Sequence, residues 1–201
     1  MAYAYTAGDL ALDFVNTLEH HDGPVRENVL TSWRELVDWA AGARLLTPRA
    51  GEAWRALEQT NPRAAGAVFR RALELRDLLH ALVAALVAGR PPAGEDLRRF
   101  DALLAESRSA VVLRPSAGAL VEDLPVTPGR PASLLDPVIT AAARLVTSAE
   151  TLRLVRRCAS ATCRQFFVDR SKNRSRRWCD MKLCGNRVKA RTFYRRHRGR
   201  G

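Results

Sequence analysis

Cysteine is missing from the first 157 residues; the chain's four cysteines all fall between positions 158 and 184. That excludes a disulfide scaffold from the larger part of the molecule. Histidine is scarce too, with four residues in 201. No glycine-rich phosphate loop, HExxH or GxSxG sequence occurs. The common motifs for phosphate binding, metal-dependent proteolysis and acyl transfer are therefore lacking, and no enzymatic activity is expected. Long apolar runs are absent. The most apolar stretch, 78–88, contains His80 and is shorter than the roughly 18 residues a membrane span needs. The first 14 residues have neither a basic n-region nor an apolar h-region, which speaks against a secretory signal. A cytoplasmic protein with no membrane partner is expected. In that reducing compartment clustered cysteines serve as metal ligands more often than as disulfides.

Acidic residues are nearly absent from 151–201, which holds two Asp+Glu against 17 Lys+Arg, a net +15. The chain has 33 basic and 21 acidic residues, so 1–150 keeps 16 and 19, a net −3. The overall charge of +12 thus comes from one short segment. Such asymmetry points to a nucleic-acid-binding unit attached to a mildly acidic body. A solvated tail would hold few apolar residues, but this one contains Phe166, Phe167, Val168, Trp178, Leu183 and Val188. Two domains are expected, 1–150 and 151–201.

The body carries helix signals. Ser32 and Glu35 fit a capping box, followed by Trp33, Leu36, Val37 and Ala40 at helical spacing. Thr47-Pro48 and Asn61-Pro62 place proline where a first helical residue suits it. The helix from Pro62 is expected to reach about Gly89 and, with apolar residues on more than one face, to be central. A further helix covers about 95–107. The runs 110–113 and 119–121 flank Pro115–Gly118 and predict a β-hairpin. Residues 134–154 predict a helix broken near Ser148. The expected class is α+β: a mainly helical N-terminal domain with a small β-hairpin, then a C-terminal treble-clef-like zinc finger. Asp13 and Asn16 are polar residues in the apolar stretch LALDFVNT. They suit either a buried hydrogen-bond network or a ligand pocket. Adjacent His20 and His21 do not converge as helical ligands and read as a surface or loop pair; His80 reads as a packed histidine.

The cysteines form two pairs, Cys158-x4-Cys163 and Cys179-x4-Cys184, separated by 15 residues. Two close pairs at this separation match structural zinc sites, where each short loop supplies one side of a tetrahedral ion. Four thiolates close the coordination sphere, so such a zinc is structural rather than catalytic. Four thiolates also suit an iron–sulfur centre, and reactive or disulfide-forming thiols are the plain alternative. Gln165–Val168 and Arg176–Trp178 are expected to pair as a hairpin with 169–175 as its tip. The sequence after Cys184 predicts a basic helix whose first turn holds the last ligand.

Residues 156–188 resemble the CGNR zinc finger. Cys184-Gly185-Asn186-Arg187 supplies the four letters, with Phe167, Asp169, Ser171, Arg177-Trp178-Cys179 and Lys189 around them. The body resembles the ABATE domain through Leu12-Asp13-Phe14-Val15-Asn16-Thr17 and through Trp33, Leu36, Trp39-Ala40 and Leu45-Leu46. The resemblance implies a bacterial transcription regulator, often stress-induced, whose N-terminal domain senses a small-molecule effector, with Asp13 and Asn16 as candidate ligand contacts.

Two basic groups are the candidate nucleic-acid contacts. Arg170, Lys172, Arg174, Arg176 and Arg177 lie between the cysteine pairs; Arg187, Lys189, Arg191 and Arg195 lie on the terminal helix, with Asn186 as a helix cap or base contact. Arginine's planar fork suits phosphate oxygens and guanine edges. Double-stranded DNA is the expected partner. RNA or a ribosome is the alternative, because arginine-rich helices serve there as well. A homodimer would match paired half-sites.

Overall fold

The computed structural model describes residues 3–20 and 26–198, with backbone alone at 19, 20, 26, 27, 192 and 195–198. His21 lies outside the described residues, and of His20 only the backbone is given, in a strand. Helix starts follow their capping side chains. Asp9 accepts from Ala11 and Leu12 N–H to open α1 (Leu10–Val15), and Ser32 accepts from Glu35 N–H to open α2 (Trp33–Gly42). Glu35 does not close a standard capping box; its carboxylate accepts from Thr31 N–H and Thr31 Oγ1, one residue earlier. Thr47 caps α3 (Pro48–Thr60) and Asn61 caps α4 (Pro62–Val87), each followed by proline at the first helical position. α5 (Gly94–Arg108) comes next.

The 26-residue α4 is the body's axis, packed against α1, α2, α3, α5 and α6 (Asp136–Thr147). Its buried Val68, Leu75, Leu79, Leu82 and Val83 face several neighbours, as the spread of its apolar positions predicts. A 3-10 turn (Pro131–Leu135) leads into α6, and the chain breaks at Ser148 before α7 (Ala149–Leu152). Among the described residues no helix is long and apolar enough to cross a membrane.

Among the described residues, three antiparallel hairpins complete the fold. β1 (Leu18–His20) pairs with β2 (Arg26–Asn28). β3 (Val112–Ser116) pairs with β4 (Ala119–Asp123) around Ala117-Gly118, both at positive φ (46° and 82°). The turn is thus two residues long rather than the expected 115–118; a tight turn with both central residues left-handed matches the strand twist, and it leaves Pro115 and Ser116 in the ladder. The third hairpin corrects an expectation. β6 (Phe166–Val168) pairs with β5 (Val155–Arg157), which precedes the first cysteine, and not with 176–178. Residues 176–178 are held otherwise: Arg176 N–H donates to Asp169 Oδ2 at 3.0 Å, and Arg177 C=O accepts from Ala159 N–H at 2.8 Å.

The finger is not a separate bead. Val155, Phe166, Phe167, Val168 and the four cysteines belong to the same buried cluster as Leu12, Trp39 and Leu79. The chain leaves α7 and enters β5 within three residues.

Candidate metal centre and nucleic-acid interface

The four cysteines converge although 15 residues separate their pairs. Cys163 N–H donates to Ser160 C=O, and Cys158 N–H donates to Gln165 C=O at 2.9 Å, folding 158–165 into a knuckle. Asp169 holds the return path. Its carboxylate is fully buried and accepts from Ser171 N–H (3.0 Å), Ser171 Oγ (2.6 Å) and Arg176 N–H. Burial raises this carboxyl, but the hydrogen bonds outweigh it and keep it below the ordinary carboxylate range. On the far side Asp180 Oδ1 accepts from Leu183 N–H and caps a π-helical turn (Met181–Gly185) carrying Cys184. α8 (Asn186–Arg198) continues from that turn.

All four sulfurs lie within 4.8 Å of one another and are buried, with Cys163–Cys179 and Cys179–Cys184 both at 3.6 Å. A tetrahedral zinc with sulfur ligands at about 2.3 Å requires sulfur separations of about 3.8 Å, so the donor set fits. Backbone N–H groups of Cys179 and Ser160 point at the Cys158 sulfur, and that of Gln165 at the Cys163 sulfur, as thiolates need. Without a cation the thiols compete. Hydrogen bonds from Cys163 and Cys179 hold Cys158 far below the ordinary thiol range, and the bond to Cys158 pushes Cys163 up to about 12. Cys179 is raised by the same partners and Cys184 chiefly by burial. Four coexisting thiolates therefore require a metal ion.

The basic residues divide by environment. Arg170, Lys172, Arg174 and Arg177 are exposed, with Arg177 lying over the Trp178 ring at 5.4 Å. Arg176 is different. Its guanidinium stacks on Phe167 at 4.4 Å, and Nε donates to Trp178 C=O. Its Nη2 donates to Cys179 C=O and to Thr6 C=O, the latter at 3.1 Å. Those donors are spent on backbone, so Arg176 ties the finger to the body. On α8, Lys189 and Arg191 are exposed and Arg187 is half-buried, while Arg195 is described by its backbone only. Asp180 caps the π-turn that leads into α8, and Asn186, in right-handed helical conformation, has an exposed side chain. Leu183, Phe193 and Tyr194 are also exposed.

Asp13 lies in α1 and Asn16 at its C-terminal end, and they hold two different segments. Asn16 Nδ2 donates to Phe166 C=O at 2.8 Å, and Asn16 Oδ1 accepts from Phe166 N–H at 3.0 Å. Asp13 Oδ1 accepts from Ala7 N–H at 2.9 Å, and Ala7 C=O accepts from Val168 N–H at 2.7 Å. Gly8 lies beside Val168, and its positive φ of +79°, rather than any crowding, is what favours glycine there. The cavity shared by Asp13 and Asn16 measures about 20 Å³, room for about one water molecule. Asp13 also borders an open depression of about 470 Å³ with Tyr5, Asp9 and Arg44. His80 packs its ring against Phe166 at 5.5 Å. Sequence reasoning missed Asp169 and Arg176 as structural anchors. The Asp169–Ser171 spacing was the available clue, since an aspartate two residues before a serine favours such a turn.

Comparison with family models returns two matches. The ABATE model, described as "putative stress-induced transcription regulator", matches residues 8–149, and the CGNR zinc finger model matches residues 154–197. No curated protein matches the chain significantly.

Proposed function

Because the chain belongs to the ABATE family and ends in a CGNR zinc finger, we propose that it is a DNA-binding transcription regulator. Cys158, Cys163, Cys179 and Cys184 hold a structural zinc ion, and the helical body senses an effector. One observation carries the DNA-binding reading: α8 leaves the last metal ligand directly, bears no acidic residue, and packs chiefly against the π-turn before it. A basic helix so mounted can lie along a groove, where most arginine contacts go to phosphates and position the protein. Lys172, Arg174 and Arg177, exposed between the cysteine pairs, supply a second set of backbone contacts. Zinc sets the angle between the two sets.

Selection of the zinc-loaded protein on a random duplex library at about 0.15 M salt tests this, with Cys179→Ser as control. Enrichment of one sequence class, lost in the control, is expected. About five phosphate contacts give a log–log salt slope near −4.5. A slope near zero, or stronger binding to structured RNA than to duplex DNA, overturns the reading.

A further inference from the structure

A cavity of about 630 Å³ lies beneath the β3–β4 hairpin, between α5 and α6. It is in the size range of small-molecule sites. Leu104, Val111 and Leu124 form apolar walls. Two arginines reach the same cavity from different helices: Arg108 ends α5, and Arg144 lies in the last turn of α6. Among the described residues the body's ion pairs are Arg55–Asp38, Arg71–Glu106, Arg76–Asp77, Arg114–Asp123 and Arg130–Asp136. Arg108 and Arg144 take part in none of them. Asp123 also borders the cavity, but its carboxylate is held by Arg114. Glu122 borders the cavity as well and, among the described residues, forms no ion pair, so its charge stands against two cations. The hairpin above is exposed along both strands, with Leu113 and Leu120 exposed on the same face.

We infer that this cavity binds a small amphipathic carboxylic acid, its carboxylate gripped by Arg108 and Arg144 and its apolar part lying against Leu104, Val111 and Leu124. Two planar guanidinium forks suit one carboxylate, and the hairpin forms a flap over the apolar part. The position also suits signalling. Arg144 and Thr147 line the cavity in the last turn of α6, and α7 then leads straight into β5 of the finger. This inference rests on the reading of the body as the sensing part of a regulator. It places the effector on α5 and α6, away from Asp13 and Asn16.

The test is calorimetric titration of the full-length, zinc-loaded protein with octanoate, using 1-octanol as the uncharged control. One site is expected, with octanol at least about tenfold weaker. Arg108→Ala and Arg144→Ala should each weaken octanoate by about tenfold. Both side chains are exposed, so circular dichroism and melting should be unchanged. Glu122→Gln should tighten binding, because it removes the opposing charge. No binding of octanoate or of 1-naphthoate overturns the inference. So does equal binding of octanol, or indifference to both arginine substitutions. Duplex binding is measured separately, with and without octanoate. If DNA binding is absent, the regulator reading falls and the titration still decides the site. A DNA affinity that octanoate shifts in the unmodified protein, but not in Arg144→Ala, supports the site as a sensor.

Discussion

The Asn16 carboxamide pairs with the Phe166 peptide unit as one strand residue pairs with another: it donates to the carbonyl at 2.8 Å and accepts from the N–H at 3.0 Å. The partners are 150 residues apart in sequence, one on the body and one on the finger strand between the cysteine pairs. Asn16→Ala leaves a buried N–H and a buried C=O unpaired, which costs about 2–4 kcal/mol. Asn16→Asp keeps the acceptor but turns a carboxylate oxygen towards the Phe166 carbonyl, and should cost at least as much. Denaturant midpoints give the cost, and hydrogen exchange at Phe166 N–H localises it. If both variants melt like the unmodified protein, the clasp is not a determinant of stability.

Asp13 makes a pH prediction. Burial pushes its carboxyl up to about 6 from an ordinary 3.8, although the Ala7 N–H bond opposes the shift. Between those values the native state keeps a proton that the unfolded chain has released. Stability due to this group is therefore greatest at low pH, falls as pH rises through about 4 to 6, and is level above. Asp13→Asn retains an acceptor for Ala7 N–H and removes that loss. The variant's advantage should grow over pH 4–6 and then stay constant. An advantage independent of pH would refute the burial of this carboxyl.

Much of this architecture was legible in the sequence, and the parts that were not share a cause. Pro62 after Asn61, the apolar faces of α4 and the paired cysteines act locally, so spacing reveals them. The pairing of β6 with β5 was not visible, because Phe166–Val168 is equally apolar whichever neighbour it meets. What decided it was Asp169, whose three accepted hydrogen bonds bend the following loop away from the ladder. Arg176 was unreadable for a similar reason. Among so many arginines, nothing in composition distinguishes the one stacked on Phe167 from those open to solvent. Asn16 was legible as a buried polar residue, but its partner lies too far along the chain for any local pattern to name.

Asp169 carries a second stability prediction. Asp169→Ala removes a buried acceptor and strands Ser171 N–H and Arg176 N–H, at about 3 kcal/mol or more. The loop 169–176 should become protease-sensitive and metal affinity should fall, because Cys179 follows that loop. Limited proteolysis and competition with a colorimetric chelator measure the two effects. Unaltered metal affinity would show that the metal alone orders the return path.

Arg176 should part company with its neighbours. Arg176→Ala forfeits charge-assisted bonds to Thr6, Trp178 and Cys179 carbonyls, at about 2–3 kcal/mol. Lys172→Ala and Arg174→Ala touch exposed side chains. They should leave melting within about 0.5 kcal/mol while each lowers the salt slope of DNA binding by about one unit. The reverse pattern, with Arg176→Ala stable but defective in binding, would put that guanidinium on DNA.

Metal removal should loosen the finger unevenly. Cys163, Cys179 and Cys184 are all raised above the ordinary thiol range, the first two by their sulfur partners and Cys184 by burial. Binding a cation must strip those protons, so apparent metal affinity rises with pH and the metal is shed on acidification. Once it is gone, the knuckle has little else to hold it, whereas Phe166, Phe167 and Val168 remain buried in the body's core. Hydrogen exchange after chelation should therefore accelerate at Cys158 and Ala159 N–H, which donate to Gln165 and Arg177 carbonyls. Val168 N–H, bonded to Ala7 C=O at 2.7 Å, should stay protected. Loss of protection at both ends would mean that the metal holds β6 on the body as well. Protection retained throughout would mean that packing alone builds the site and that the ion binds a preformed cage.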